Sequence, residues 1–155
     1  MPINLSILVF VASPLDYARY RHTALYLTFN EPRETDSIEC LKSSLIEVIG
    51  STGFHSFSER VNWEIPNTST VLARTIPIAT LAPSTPTTVR RILSRTPILE
   101  KKGDEDWNSQ NWVWDALEGL VEAGYLDVGA KDRGLEEMVD VVLEAGDEKI
   151  PVWDM

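Results

Sequence analysis

Cysteine is nearly absent from this chain: 155 residues contain one, Cys40. No intrachain disulfide can form, and a reducing, cytoplasmic setting is the natural expectation. Two histidines and one cysteine are also too few for a zinc site of the usual spacings. The longest early apolar run, Leu5 to Ala12, falls far short of the roughly 18 residues that span a bilayer. No Lys or Arg precedes it, as a secretory signal would require, so it is expected to be a buried strand. Basic residues are scarce, 14 Lys and Arg against 24 Asp and Glu, for a net charge of -10. That field repels phosphate backbones, so neither nucleic acid nor an anionic membrane is an expected partner. G-x-G-x-x-G, P-loop, G-x-S-x-G and H-E-x-x-H motifs are all missing, and no metal or other cofactor is expected.

What is present suits one folded unit over residues 1–155, with 43% hydrophobic and 25% charged residues. The charge is uneven: residues 1–99 carry 9 basic and 8 acidic side chains, and residues 100–155 carry 5 and 16. The first half reads as strands. Leu5 to Ala12 and His22 to Phe29 are two, and Ser44 to Ile49 with Phe54 to Val61 form a hairpin around Gly50 and Gly53. Val71 to Thr80 is a further β-rich run that Pro77 confines to an edge or a bulge. The second half has helical period. A short helix begins near Pro86 and ends before Pro97. Trp112, Val113, Ala116, Leu117, Leu120 and Val121 make a helical stripe closed by Gly124, and Leu135, Met138, Val139, Val142 and Leu143 make another. Strands first and helices later predict an α+β fold, an antiparallel sheet packed against helices.

The residues with chemistry in them are polar groups in apolar settings: His22 opening a strand, Glu47 within Leu45-Ile-Glu-Val-Ile49, His55 beside the glycine turn, and Ser109 at a helix start. Each has an ordinary alternative. Ser109 or Asn108 can serve as the helix N-cap. Glu47 can be a solvent-facing position, because Ile46 and Val48 point to the opposite face of an alternating strand. His22 and His55 can be structural histidines. Trp107, Trp112 and Trp114 bracket the helix start, and such aromatics build either a core or the wall of an apolar ligand pocket. Cys40 has no paired histidine and is assigned no role.

The segment Asp106-Trp-Asn-Ser-Gln-Asn-Trp-Val-Trp-Asp-Ala-Leu117 resembles the W-N-C-Q-N-W-V signature of a group of small fungal proteins. More remotely it resembles the N-C-E-H-F-V segment of the LRAT and NlpC/P60 papain-like superfamily. Arg21-His-Thr-Ala-Leu-Tyr-Leu27 is similar to that group's H-x-A-L-Y strand, and the likeness runs over roughly residues 20 to 145. The resemblance implies a permuted papain-like architecture in which an early strand histidine precedes a helix-borne cysteine. This chain departs from it, with Ser109 in the cysteine's place and Glu47 where a second-strand histidine is expected. An engineered Cys to Ser change or natural loss of the thiol would each explain Ser109; the companion change at position 47 favours divergence. A helix N-terminus and a nearby imidazole bring a thiol pKa down from about 8.5, whereas a serine needs an aligned base and an oxyanion hole.

Three functions compete on this evidence. Ser109 as nucleophile and His22 as base, oriented by Glu47 or another residue, could form a hydrolase or acyltransferase. Alternatively, the inherited cleft holds a small apolar molecule and guides an isomerisation or cyclisation, of which a Diels-Alder closure is the plainest case. His22 or Ser109 would then serve as a donor to a carbonyl, and Tyr26, His55, Trp107 and Trp112 as pocket walls. The third is a pseudoenzyme whose acidic C-terminal surface recruits a basic partner. The second ranks first, as a small-molecule enzyme of fungal secondary metabolism, because the nucleophile is lost while His22 and the Trp cluster remain.

Overall fold

Five strands are followed by three helices in a computed structural model that describes residues 2–12, 16–29, 41–50, 53–65, 71–100 and 107–146. The strands are β1 (Ile3–Phe10), β2 (His22–Phe29), β3 (Ser43–Ile49), β4 (Ser56–Val61) and β5 (Leu72–Thr80). They form one sheet in the order β4-β3-β2-β1-β5, antiparallel at every pairing. The helices are α1 (Pro86–Ser94), α2 (Ser109–Glu122) and α3 (Val128–Leu143). The fold is therefore α+β, a five-stranded antiparallel sheet packed against three helices. No described helix is long and apolar enough to cross a membrane. Cys40 lies outside the described residues.

Alternation along the strands sorts the side chains onto two faces. Ile3, Leu5, Ile7 and Val9 of β1, Leu25, Leu27 and Phe29 of β2, and Ile46 and Val48 of β3 share a core with Trp112, Val113, Ala116, Leu117 and Leu120 of α2 and with Leu135, Met138, Val141 and Val142 of α3. Each such aliphatic side chain, taken from water to full burial, contributes roughly 1.5–3 kcal/mol before chain entropy is counted. The helix-free face carries a smaller cluster, Leu8, Ala24 and Leu45 under Phe10, Tyr26, Trp63, Ile65 and Leu72. α2 lies against β2 and β3, and α3 against β5 and β1.

Several bounds differ from the sequence expectation for local reasons. β1 runs from Ile3 to Phe10 rather than Leu5 to Ala12, because Ile3 pairs with Phe29 and Leu81 donates to the Ile3 carbonyl. β4 begins at Ser56 rather than Phe54, since the backbone N–H of His55 is taken by the Glu100 carboxylate and not by the ladder. Pro77 sits, as expected, on an edge strand, opposite Ser6 and next to a register shift that leaves Ile78 unmatched. α3 starts at Val128, where Asp127 caps it by accepting the N–H groups of Gly129 and Ala130.

Candidate functional site

His22 opens β2 directly after a single 3-10 turn, Ala18–Tyr20. Its odd-numbered neighbours Thr23, Leu25 and Leu27 face the helices, so His22 shares the other face with Ala24 and Tyr26. There its ring stacks on Phe10, its β1 partner, at 5.7 Å between centroids. Nε2 of His22 donates to Oε2 of Glu47 at 3.2 Å, and Arg60 of β4 donates to Oε1 at 3.2 Å. The Arg60 guanidinium also lies over the Trp63 ring at 5.7 Å. Ile46 and Val48 do point to the opposite face from Glu47, but Glu47 is 3% exposed and not solvated. Burial pushes its pKa up, and the His22 and Arg60 bonds and charges outweigh that, holding the carboxyl below its ordinary 4.5. His22 Nδ1 has no hydrogen-bond partner among the described residues.

Ser109 is the first residue of α2, and its neighbour Asn108 is the cap: Asn108 accepts from Gln110 N–H, while Asn111 Oδ1 accepts from Asn108 N–H. Freed from capping, Ser109 Oγ accepts the backbone N–H of Thr23 at 3.0 Å and lies 3.4 Å from the Thr23 hydroxyl. Ser109 is thus joined to β2 on the helix side, one residue beyond His22 and across the strand from its imidazole. His22 and Glu47 are brought together by the fold; Ser109 is brought to Thr23. Gln110 reinforces this junction by donating to the carbonyls of Ala18 and Arg21.

His55 forms a second imidazole–carboxylate pair. Its Nδ1 is 2.6 Å from Glu100 Oε2, and Glu100 also accepts the N–H groups of His55 and Gly53 at 2.6 and 3.1 Å. Both side chains are 9% exposed, and the His55 ring meets Trp107 edge-on at 5.4 Å. Burial raises the Glu100 pKa, but the bonds from His55 and the two amides carry it below the usual value. Nε2 of His55 has no hydrogen-bond partner among the described residues.

One cavity of about 540 Å³ gathers these groups: His22, Glu47, His55, Trp107 and Ser109 line it, with Arg19, Tyr20, Arg21, Val48 and Ile49. Arg21 is fixed by two bonds to Asp16, at 2.9 and 2.7 Å, and one to the Val141 carbonyl at 2.7 Å. Two of the residues expected at the pocket stand elsewhere. Trp112 is fully buried in the core, its indole N–H on the Thr96 carbonyl at 3.3 Å. Tyr26 lies on the helix-free face and donates to the Trp63 carbonyl at 3.0 Å. Thr23, Arg60 and Glu100 went unmarked in the sequence. Strand alternation from His22 was the available signal for Thr23, whereas Glu100 sits in ordinary charged surroundings, 45 residues from its partner. Among the described residues no group of three or more His, Cys, Asp or Glu is placed to hold a metal ion.

A protein-family model covers every residue that lines this cavity: it matches residues 9–127 and is described as a family of unknown function (DUF6540). No curated protein and no solved structure matches the chain.

Proposed function

For a chain that belongs to DUF6540, a family of unknown function, we propose that the cavity binds a small carbonyl compound and isomerises or cyclises it by proton transfer, without a covalent nucleophile. The observation that carries this reading is the pair of imidazoles on one cavity. His22 and His55 each have one nitrogen on a buried carboxylate and the other without a described partner. A carboxylate of this kind fixes the ring's orientation and tautomer, leaving the far nitrogen to exchange a proton. One imidazole takes a proton from a carbon beside the carbonyl, and the C–H electron pair becomes a C=C bond while the carbonyl π pair moves to oxygen. The other imidazole returns a proton at a different atom, so the product is an isomer and no co-reactant is consumed.

Ser109 fits the oxyanion in this scheme. Because its oxygen already accepts the Thr23 N–H, its own O–H is left to donate, and it stands at the N-terminus of a 14-residue helix whose dipole favours negative charge. Tyr20, Val48, Ile49 and Trp107 offer apolar wall for the rest of the molecule. The same reading includes the papain-like ancestry: a strand histidine precedes the residue at a helix start, and that helix packs on the histidine's strand. Replacement of the cysteine by serine then marks a cleft recruited to biosynthetic small-molecule chemistry.

A serine hydrolase is the competing reading, supported by the position of Ser109 on the cavity lining. A fluorophosphonate acyl-directed probe separates the two. The expected result is an unchanged intact mass; an adduct that disappears in Ser109→Ala would overturn the proposal in favour of the hydrolase. In the positive direction, conversion of cyclohex-3-en-1-one to the conjugated ketone, followed by ultraviolet absorbance, is expected above the buffer rate. It should fall on the order of 10²-fold in His22→Gln, the usual scale for losing a general base, and be reduced but not abolished in Ser109→Ala, which loses only an oxyanion donor.

A further inference from the structure

α2 and α3 leave a groove between them on the side away from the sheet. Two depressions of about 560 and 320 Å³ adjoin there and share Trp114 and Val139. Trp114 is 48% exposed and Val139 41%, and Leu99 at 56% extends the apolar floor. A half-exposed tryptophan at the junction of two depressions is the kind of side chain that anchors protein interfaces. Among the described residues the charged groups beside this floor are of one sign: Asp115, Asp132, Glu136 and Asp140 line the depressions, and no described Lys or Arg does. Lys131 and Arg133, the basic residues of α3, do not line the depressions; Lys131 is engaged with Glu118 and lies 3.6 Å from Asp132, which leaves Asp115, Glu136 and Asp140 to a partner.

We propose that this groove docks a basic amphipathic helix of a partner protein, its apolar residues over Trp114 and Val139 and its Lys and Arg side chains on Asp115, Glu136 and Asp140. Charge selects this occupant. A second copy of the chain in a two-fold contact sets these carboxylates against the same ones, and like charges facing one another across an interface cost several kcal/mol. Anionic lipid and nucleic acid meet the same repulsion. A helix with apolar residues at i, i+3, i+4 and i+7 and basic residues elsewhere satisfies floor and rim together. Burial first, and then the neighbouring Glu118, push the Asp115 carboxyl above its ordinary range. Trp107 lines both this groove and the cavity of His22 and His55, so a docked helix would touch a wall of the proposed active site.

The test uses the full chain and an 18-residue fluorescent peptide of leucine and lysine with leucines at helical spacing, read by anisotropy at physiological salt. A counterpart carries glutamate for lysine. Saturable binding of the lysine peptide alone is expected, weakened about tenfold by Trp114→Ala and by Asp140→Lys. Glu137→Lys, on the same helix but outside the groove, should leave binding unchanged. Absence of binding, equal binding of the glutamate peptide, or equal weakening by Glu137→Lys overturns the proposal. So does a Trp114-dependent dimer in sedimentation, which would make a second copy the occupant. Because Trp114, Asp140 and Glu137 are all exposed, circular dichroism of each variant is expected to match the parent.

Discussion

Replacing Ser109 with alanine takes away the oxygen that receives the Thr23 amide hydrogen. Thr23 is fully buried, so its N–H would be left unsatisfied, a cost of about 1–3 kcal/mol. Urea denaturation of Ser109→Ala is expected to show that loss. Thr23→Val, which removes only the hydroxyl 3.4 Å from Ser109 Oγ, is expected to cost less. An unchanged midpoint in Ser109→Ala would mean that this bond does not join α2 to β2. Single residues also show how far the sequence could be read. The need of His22 for an orienting partner was legible, with Glu47 one of the possibilities, and the register of β2 on β3 brings the two together. The face of each was not: a one-residue step along β2 separates the imidazole from Ser109, and only the strand's direction relative to α2 decides that. Trp107 and Trp112 were both expected at the pocket, yet Trp107 lines the cavity, Trp112 is core and Trp114 is half exposed. Helical spacing of 3.6 separates Trp112 from Trp114 once the buried stripe is known, but it does not say which stripe meets the sheet.

At the level of elements, the hairpin of β3 and β4 was readable because its glycines have a conformational reason to be there. Gly50 has φ +122, and a Cβ placed on it would lie 2.4 Å from the Phe54 carbonyl oxygen. Gly124, past the end of α2, has φ +86 but open space around it. Alanine at 124 therefore meets only the left-handed backbone penalty, about 1–2 kcal/mol. Alanine at 50 adds a backbone clash that cannot relax locally, so Gly50→Ala is expected to be the more destabilising in denaturant titrations, by at least about 1 kcal/mol. The reverse order would show that the β3–β4 turn gives way easily. The start of α3 was harder to place, since Gly129 and Gly134 interrupt its apolar stripe. Gly134 has a packing reason: its missing side chain lets α3 approach Ile78 of β5, where a Cβ would come within 3.0 Å.

Across the whole molecule, the carboxylates engaged by basic side chains share one titration behaviour. Asp16 on Arg21, Glu47 on His22 and Arg60, Glu59 on Arg90 and Ser44, and Glu100 on His55 all have folded pKa values below the ordinary 3.8 or 4.5. A group lowered in this way binds its proton more readily when unfolded. Its contribution to stability is complete above the unfolded value and disappears as pH falls through the folded one. The melting temperature is accordingly expected to drop below about pH 4.5. Glu59→Gln should make that decline shallower. Asp115 has the opposite sign, its pKa being raised, so Asp115→Asn is expected to stabilise at neutral pH. A melt that stays flat from pH 5 to 2.5 would show that these pairs contribute nothing. The overall α+β plan followed from hydrophobic period and from the order of strand-like and helix-like segments along the chain. The cross-chain pairs did not, because ion pairs between residues as far apart as 55 and 100 depend on topology that no local pattern encodes.

The placement of β1 between β2 and β5 bears on how the chain folds. β1 with β2 and β3 with β4 are neighbours in sequence, and the β3–β4 ladder closes over the shorter connection, from Ile49 to Ser56. β5 must return to β1 across the three intervening strands' worth of chain, pairing Thr80 with Asn4. The entropy of closing that long loop is spent before the contacts it enables reward it. The edge strand that contacts α3 is thus expected to pair late in folding, and the hairpin carrying Glu47 and His55 early. The proposed catalytic imidazoles therefore sit on the early-forming side of the sheet, and the groove-bearing helix α3 docks on the side that completes it.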